Sequence, residues 1–142
     1  EQDIPLAWAV RDQQYDMARV LLNRSPQPYT DANWKNRIGQ PLLTQAIEQN
    51  NYEMAKLLIE HGAQVNTTDH LDNTPLHTAA KLGYSSIAEL LISSGADPAS
   101  TNMLGETARD IAVHEGHKKV LDLFSVREKG SKSSFAASYD KE

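Results

Sequence analysis

Cysteine is absent from the 142-residue chain, and this absence excludes disulfides, thiolate metal sites and cysteine nucleophiles. Long apolar runs are absent too, because none approaches the roughly 20 residues that a membrane-spanning helix needs. We therefore expect no membrane insertion. A surplus of basic residues is also missing, since the formal net charge is -5. Binding to phosphates depends on such a surplus, so nucleic acid is not expected as a partner.

What the chain does contain is the composition of an ordinary globular domain. Hydrophobic residues make up 39% and charged residues 23%, which argues against wholesale disorder. A chain of this length buries about two-thirds of the surface that its unfolded form would expose. One domain is enough to account for it.

The chain repeats itself at a spacing of 33 residues. The stretch TPLHTAAKLGY at 74–84 matches GETARDIAVHEGH at 105–117 when shifted forward by 33, and GQPLLTQAIEQNN at 39–51 when shifted back. A more divergent copy, IPLAWAVRDQQYDMARVLL, opens the chain at an offset of 37. A fixed period of this length predicts a stack of repeated supersecondary units.

Local signals within each copy predict two short helices. Thr74 supplies an N-cap hydroxyl, and Pro75 suits the first helical turn because it has no N–H to leave unpaired. Gly83, or Asn50 in the preceding copy, is expected to end the first helix in a left-handed conformation. One such unit has too little apolar area to fold alone, so neighbouring units must stack.

The motif TPLHTAA and the period of 33 resemble the ankyrin repeat, and the resemblance covers residues 4–124. It implies an all-α fold, an ankyrin-repeat solenoid of four helix-turn-helix units joined by hairpin-like loops. We place the units at 1–35, 36–68, 69–101 and 102–124, followed by a polar, flexible C-terminal tail at 125–142. The two end units depart most from the motif, as expected where an outer face meets water.

The same motif also suggests catalysis, with Thr74 as nucleophile, His77 as base and Asp72 as the orienting acid. The resemblance implies a structural role instead: the Thr74 hydroxyl caps the helix, and the imidazole joins the hydrogen bonds that hold the preceding turn. Thr44 and Asp110 replace His77 in the neighbouring copies. We therefore expect no catalytic residues and predict that the protein is not an enzyme.

The sequence HEGH at 114–117 superficially suggests a metal site. A zincin needs two histidines at i and i+4 on one uninterrupted helix, whereas Gly116 marks a helix end here. We expect no metal ligands and no cofactor. A metal-dependent hydrolase that uses His114, His117 or His77 is kept as a distant alternative.

Function is therefore expected in protein binding. In ankyrin proteins, the resemblance implies, the concave face and the hairpin fingers bind partners. The predicted partner-binding residues lie at three fingertips, at the exposed ends of the first helices and in the long first connection. They are Trp34, Arg37, Ile38, Gln40, Glu48, Gln49, His70, Leu71, Asn73, Lys81, Leu82, Met103, Leu104, Glu106, His114 and Glu115.

Two features of this set allow two interpretations each. Ile38, Leu71 and Leu104 occupy the same place in three successive fingers, so they either pack finger on finger or form an apolar binding anchor. Trp34 lies in the connection 23–37 with Tyr29, and it either contacts a partner or folds back over the first unit.

We predict a non-catalytic protein-interaction module, a regulator or inhibitor of the self-protection type that occludes a partner enzyme and is monomeric when unbound. The alternative is an adaptor or scaffold fragment of a longer ankyrin protein. The family resemblance suggests the cytoplasm. A cysteine-free chain that begins at Glu1 would equally suit the bacterial periplasm, or secretion after removal of a leader.

Overall fold

The computed structural model of the chain describes residues 4–24 and 31–131. Its helices form four consecutive pairs: α1 (Pro5–Arg11) with α2 (Tyr15–Arg24), α3 (Leu42–Glu48) with α4 (Tyr52–Glu60), α5 (Pro75–Leu82) with α6 (Ser85–Ser93), and α7 (Ala108–Glu115) with α8 (Lys118–Ser131). Over these residues the only β-structure is an isolated bridge between Lys35 and Pro41. The prediction of an all-α stack of helix pairs is confirmed.

The third unit shows why its helices begin and end where they do. The Thr74 hydroxyl accepts a hydrogen bond from the backbone N–H of His77 at 3.3 Å, which satisfies one donor of the first turn. Gly83 ends α5 with a φ of 78°. A Cβ at this glycine would lie 2.6 Å from Nδ1 of His117. The position therefore requires glycine both for its backbone conformation and for space.

The first two units reach the same geometry without these residues. The N-caps Ile4 and Pro41 form no side-chain cap hydrogen bond. Gln13 and Asn50 adopt the left-handed conformation, with φ values of 58° and 55°, where the third unit has glycine. Since helices this short are marginal alone, α1 and α3 depend on tertiary packing.

The core runs continuously through the stack. Each first helix contacts the first helix of the next unit, and the second helices do the same. A buried alanine recurs at equivalent positions of the four first helices, 9, 46, 79 and 112. Small side chains there allow neighbouring helices to approach closely, so the units share one apolar core.

Two asparagines join successive loops on the outside of this core. Asn33 donates to the Gly62 carbonyl at 3.0 Å and accepts from the Gln64 N–H at 2.8 Å. Asn66 repeats the arrangement one unit later, with the Gly95 carbonyl at 3.1 Å and the Asp97 N–H at 2.8 Å. Each amide thus satisfies two backbone groups of the next loop and fixes the spacing between units.

The last helix continues beyond the boundary that we placed after residue 124. It ends at Ser131, so residues 125–131 of the predicted flexible tail are helical. Arg, Glu and Lys in this stretch are good helix formers and favour continuation of α8. The rest of the tail, 132–142, lies outside the described residues, as do residues 25–30 of the first connection with Tyr29.

Candidate functional site

Three turns between the helix pairs share one hydrogen-bonding pattern, and we call them the fingers: residues 36–40, 69–73 and 102–106. The first side chain of each finger is Asn or Asp, and its Oδ1 accepts from the backbone N–H groups two and four residues later. The contacts are Asn36 with Ile38 (3.1 Å) and Gln40 (2.9 Å), Asp69 with Leu71 (2.9 Å) and Asn73 (3.0 Å), and Asn102 with Leu104 and Glu106 (both 3.0 Å). Such Asx contacts hold a turn in one conformation.

The fourth residue of each finger has a left-handed backbone. Gly39 and Gly105 have φ values of 82° and 77°, and Asp72 has a φ of 62°. Glycine adopts this conformation without strain, whereas an aspartate tolerates it at some cost. Asp72, which the catalytic interpretation used as an acid, is thus a turn residue.

The third residue of each finger is a large apolar side chain that is exposed to solvent. The exposed fraction is 62% for Ile38, 48% for Leu71 and 82% for Leu104. Met103 beside them is 66% exposed. Packing between the fingers therefore leaves much of this apolar row uncovered.

Hydrogen bonds connect neighbouring fingers to each other. The N–H of Met103 donates to the carbonyl of Leu71 at 3.0 Å, and the Asn102 amide donates to the Asn73 side chain at 2.9 Å. The Lys35 ammonium, next to the first finger, reaches the Thr68 carbonyl beside the second at 2.7 Å. The apolar row is consequently displayed on a connected framework rather than on independent loops.

The polar fifth residues of the fingers are half-buried and take part in this framework. Gln40 accepts from the Asn36 amide at 3.3 Å, Glu106 accepts from Asn102 at 3.1 Å, and Asn73 accepts from Asn102 as described above. These side chains already accept hydrogen bonds within the chain, so a partner would have to share the same oxygen atoms. The second residues, Arg37 and His70, are exposed.

The predicted residues at the ends of the first helices are mostly exposed. Glu48, Lys81, Leu82, His114 and Glu115 face solvent, and Leu82 is the one large apolar side chain among them.

Gln49 differs from these residues because it is half-buried and its amide donates to the Arg11 carbonyl of the preceding unit at 2.8 Å. Trp34 is also half-buried, and it packs against the core. Partner contact by any of these residues stays a prediction.

Comparison with known proteins identifies the family. Residues 6–102 match the family model of ankyrin repeats, in three copies. The chain belongs to the ankyrin repeat family. Ankyrin repeats are protein–protein interaction modules, and the fingers described above are the hairpin fingers of this family.

Relatives and solved structures agree with this assignment. NF-kappa-B inhibitor zeta of Homo sapiens is 40% identical over 53 residues, which is 37% of this chain and 7% of the relative. An ankyrin repeat protein of Fowlpox virus is 35% identical over 83 residues, 58% of this chain and 55% of the relative. The ankyrin repeat domain of Bcl-3, a unique member of the IkappaB protein family, matches with a TM-score of 0.75 and 28% identity, over 84% of this chain and 50% of that one. This ankyrin chain thus spans less than two-thirds of the length of each of them.

The ankyrin motif explains the histidine that first suggested catalysis. His77 is 2% exposed, and its Nδ1 lies 3.0 Å from the N–H of Thr74 and 2.8 Å from the Thr74 hydroxyl. Its Nε2 lies 2.8 Å from the Glu106 carbonyl of the next finger. Because a carbonyl can only accept, Nε2 donates and Nδ1 accepts from the backbone. Both ring nitrogens are thus engaged in the scaffold.

The last unit builds the same cap with a different residue. Asp110 accepts from the Thr107 N–H at 3.0 Å, and the Thr107 hydroxyl accepts from the Asp110 N–H at 3.1 Å. The hydrogen bond from the Thr107 backbone, followed by the one from its side chain, lowers the pKa of Asp110 from its ordinary value of 3.8. Asp110 thus takes the place of His77 as the partner of the capping threonine. Unlike His77, it has no following finger to contact among the described residues.

The HEGH sequence spans the end of α7 and the turn that precedes α8. His114 lies near the end of α7, Gly116 is the left-handed C-cap with a φ of 76°, and His117 donates from Nε2 to the Lys81 carbonyl at 2.9 Å. Across 4–24 and 31–131, no group of three His, Asp or Glu residues is arranged to hold a metal ion. No helix in those ranges is long and apolar enough to cross a bilayer.

Sequence reasoning missed the side chains that shape the fingers. Asn36, Asp69 and Asn102 recur at a spacing of 33, and each precedes the exposed apolar residue by two positions. That recurrence of Asn or Asp ahead of an apolar residue was the available signal, since these residues favour turns.

Proposed function

We propose that this ankyrin protein binds a partner protein through the candidate binding surface, formed by the fingers and the exposed ends of the first helices. In this proposal it acts as a regulator that occludes its partner, an enzyme in the inhibitor version. The observation that carries the proposal is the row of Ile38, Leu71 and Leu104, which are 62%, 48% and 82% exposed. Apolar side chains aligned in this way are a natural anchor for a protein partner.

The fingers support binding because they are already ordered. Their turns are closed by Asn36, Asp69 and Asn102, and the second and third fingers share a backbone hydrogen bond of 3.0 Å. A preorganised surface loses little conformational entropy when a partner binds. More of the interaction free energy therefore appears as affinity.

Charged groups of both signs belong to the candidate binding surface. Arg37 and Lys81 are exposed cations, and Glu48 and Glu115 are exposed anions. A mixed polar rim favours one orientation of a complementary partner and disfavours others. It suits a specific protein partner better than a uniformly charged polymer.

The regulatory version draws support from the relatives. One carries the name NF-kappa-B inhibitor zeta, and the Bcl-3 domain belongs to the IkappaB protein family. Those names concern those proteins, and only the fold and part of the sequence are shared with this chain. The adaptor version predicts the same surface but no effect on the partner's activity.

The first experiment is affinity capture with the intact chain, followed by identification of the partner and measurement of its Kd. We expect Leu71→Asp combined with Lys81→Glu to weaken binding by about 30-fold or more, as for central interface residues. Both side chains are exposed, so the melting temperature should stay near that of the wild type. Val113→Asp is the matched control, because Val113 is 60% exposed but lies outside the candidate binding surface.

The outcomes separate the versions of the proposal. If the captured partner is an enzyme and loses activity at equimolar chain, the inhibitor version is supported. Binding without loss of activity would support the adaptor instead. Full binding by the Leu71→Asp, Lys81→Glu variant would show that the surface is wrong.

A further inference from the structure

The second finger differs from its two neighbours at the fourth position of the turn. The first and third fingers have glycine there, Gly39 and Gly105, whereas the second has Asp72. All three backbones are left-handed, with φ values of 82°, 77° and 62° in that order. This conformation is free of strain for glycine and costs free energy for an aspartate. The second finger thus keeps a side chain where the turn favours none.

The turn does not need the Asp72 carboxylate. The Asp72 N–H donates to the Asp69 carbonyl at 3.0 Å, and Gly39 and Gly105 make the same contact with the first residue of their own fingers, both at 2.9 Å. The side-chain hydrogen bonds that close the second finger come from Asp69. Glycine therefore supports the same turn, and the carboxylate of Asp72 adds nothing to closing it.

The carboxylate of Asp72 also has no contact elsewhere in the described ranges. It is exposed to solvent, and no residue of 4–24 or 31–131 forms a hydrogen bond or an ion pair with it. It belongs to no cluster of His, Asp or Glu in those ranges that could hold a metal ion. Backbone strain that serves no contact within a fold is typical of residues that act on a ligand.

We propose that Asp72 pairs with a cationic side chain of the partner and so helps to determine which partner the candidate binding surface accepts. The proposal rests on the proposed function and deepens it, because it names the chemistry that the partner presents. Leu71, the preceding residue, is 48% exposed, so an apolar side chain and an anion are adjacent in the middle finger. The complementary partner is a protein segment in which Lys or Arg flanks a large apolar residue.

The other charges of the fingers give this cation one position along the apolar row. Arg37, the exposed charge of the first finger, repels a cation. Asp69 and Glu106 are half-buried and already accept hydrogen bonds from their own fingers. Asp72 is therefore the exposed anion of the three fingers, and charge complementarity places the partner's cation at the second finger rather than the first.

The first test selects random peptides displayed on phage against the immobilised intact chain. We expect the wild type to enrich peptides in which Lys or Arg flanks a large apolar residue. The same selection on Asp72→Lys should enrich Asp or Glu at that place instead, because the charge of the site is reversed. The absence of a cation preference, or the same preference in both chains, would contradict the proposal.

The affinity of one selected peptide, measured by titration calorimetry, isolates the charge. Asp72→Asn removes it and keeps a residue type that tolerates the left-handed backbone. We expect binding to weaken about fivefold at low salt and less at high salt, as for an exposed ion pair. Asp122→Asn is the matched control, since Asp122 is exposed on α8 outside the candidate binding surface, and it should bind like the wild type. Unchanged binding by Asp72→Asn would overturn the role of Asp72.

The thermal stability of the variants tests the strain. Asp72→Gly should raise the melting temperature by about 1 to 3 °C and still weaken binding of the same peptide as much as Asp72→Asn does. Gly105→Asp, where an added Cβ would meet nothing within 4 Å, is the reverse change and should lower the melting temperature. A lower melting temperature for Asp72→Gly would show that the carboxylate serves the fold and would overturn the proposal.

Leu71→Asp separates the failure of this inference from the failure of the proposed function. If it loses the selected peptide while Asp72→Asn keeps full affinity, the role of Asp72 is wrong and the candidate binding surface stands. If both variants bind the peptide like the wild type, both proposals are wrong. Loss of affinity in both variants, with none in Asp122→Asn, is the result that we expect.

Discussion

At the C-terminal end of the stack, a charged residue stands where the interior has a leucine, whereas the N-terminal end keeps apolar residues that the interior buries. Arg109 replaces the fully buried leucines of the other units and is half-exposed. Met17 and Trp8, by contrast, remain 55% and 56% exposed. The four units share a scaffold, but the first and the last of them differ in the chemistry of their exposed side chains.

This difference shows that the burial of a side chain in a stacked protein depends on the neighbouring unit as much as on the residue type. A solenoid needs end units with polar outer faces to remain soluble. The C-terminal unit meets this requirement through Arg109, although Val113 beside it is still 60% exposed. The first described unit differs, because its outer side chains Trp8 and Met17 are apolar and exposed.

The largest effect is expected when leucine and arginine are exchanged between the interior position and its counterpart in the last unit. Leu76→Arg introduces a charge at a position that is 0% exposed, so we expect a loss of at least about 4 kcal/mol in the free energy of unfolding. Arg109→Leu, the matched reverse change, should alter it by no more than about 1 kcal/mol. Urea denaturation measures both. Equal losses would mean that the last unit is not a distinct end unit.

The capping interactions allow a second comparison, between the stability of an interior unit and that of the last unit. His77→Ala removes the imidazole that accepts from the Thr74 N–H and contacts the Glu106 carbonyl, which leaves these backbone groups unpaired, so we expect a loss of about 2 to 4 kcal/mol. Asp110→Ala removes an exposed carboxylate that accepts, among the described residues, only from Thr107 and should cost less in the same urea experiment. The reverse order of losses would contradict our account of the two caps.

The smallest effect is the pH dependence that Asp110 contributes to stability. The pKa of Asp110 is lowered in the folded protein from its ordinary value of 3.8. Its contribution to stability is therefore present above that value and is lost as the pH falls through the folded pKa. The difference in melting temperature between wild type and Asp110→Ala should persist at neutral pH and shrink in acid. A difference that grows in acid would exclude this origin.

Much of the fold could be predicted from local sequence. The motif at 74–84 gave the cap at Thr74 and the left-handed end at Gly83, and the structure confirms both. The extension of α8 was missed because residues 125–131 carry no regular apolar pattern. Helix propensity alone favours them.

Exposure was harder to predict, for a physical reason. Tyr15-Asp16-Met17-Ala18 and Tyr52-Glu53-Met54-Ala55 are nearly the same sequence. Even so, Met17 is 55% exposed and Met54 is 0% exposed. The local pattern is nearly equal in the two copies, but a helix pair precedes Met54, whereas none precedes Met17 among residues 4–24 and 31–131. For the same reason the exposure of Met17 could not be recognised before the units were stacked.

The positions of the predicted binding residues could be read from the sequence, but their exposure could not. Period and motif located the apolar tips at Ile38, Leu71 and Leu104. They could not distinguish exposed side chains from those, such as Gln49, that hydrogen-bond to a neighbouring unit. That distinction depends on contacts between units, which a single repeat does not contain.

The most direct test of the proposed binding surface is amide hydrogen exchange of the chain with and without its captured partner. We predict slower exchange at the fingers, 36–40, 69–73 and 102–106, and at the ends of α3, α5 and α7. Exchange in α4 and α6 should be unchanged. Protection confined to α4 and α6, with no change at the fingers, would contradict the proposal that the fingers bind the partner.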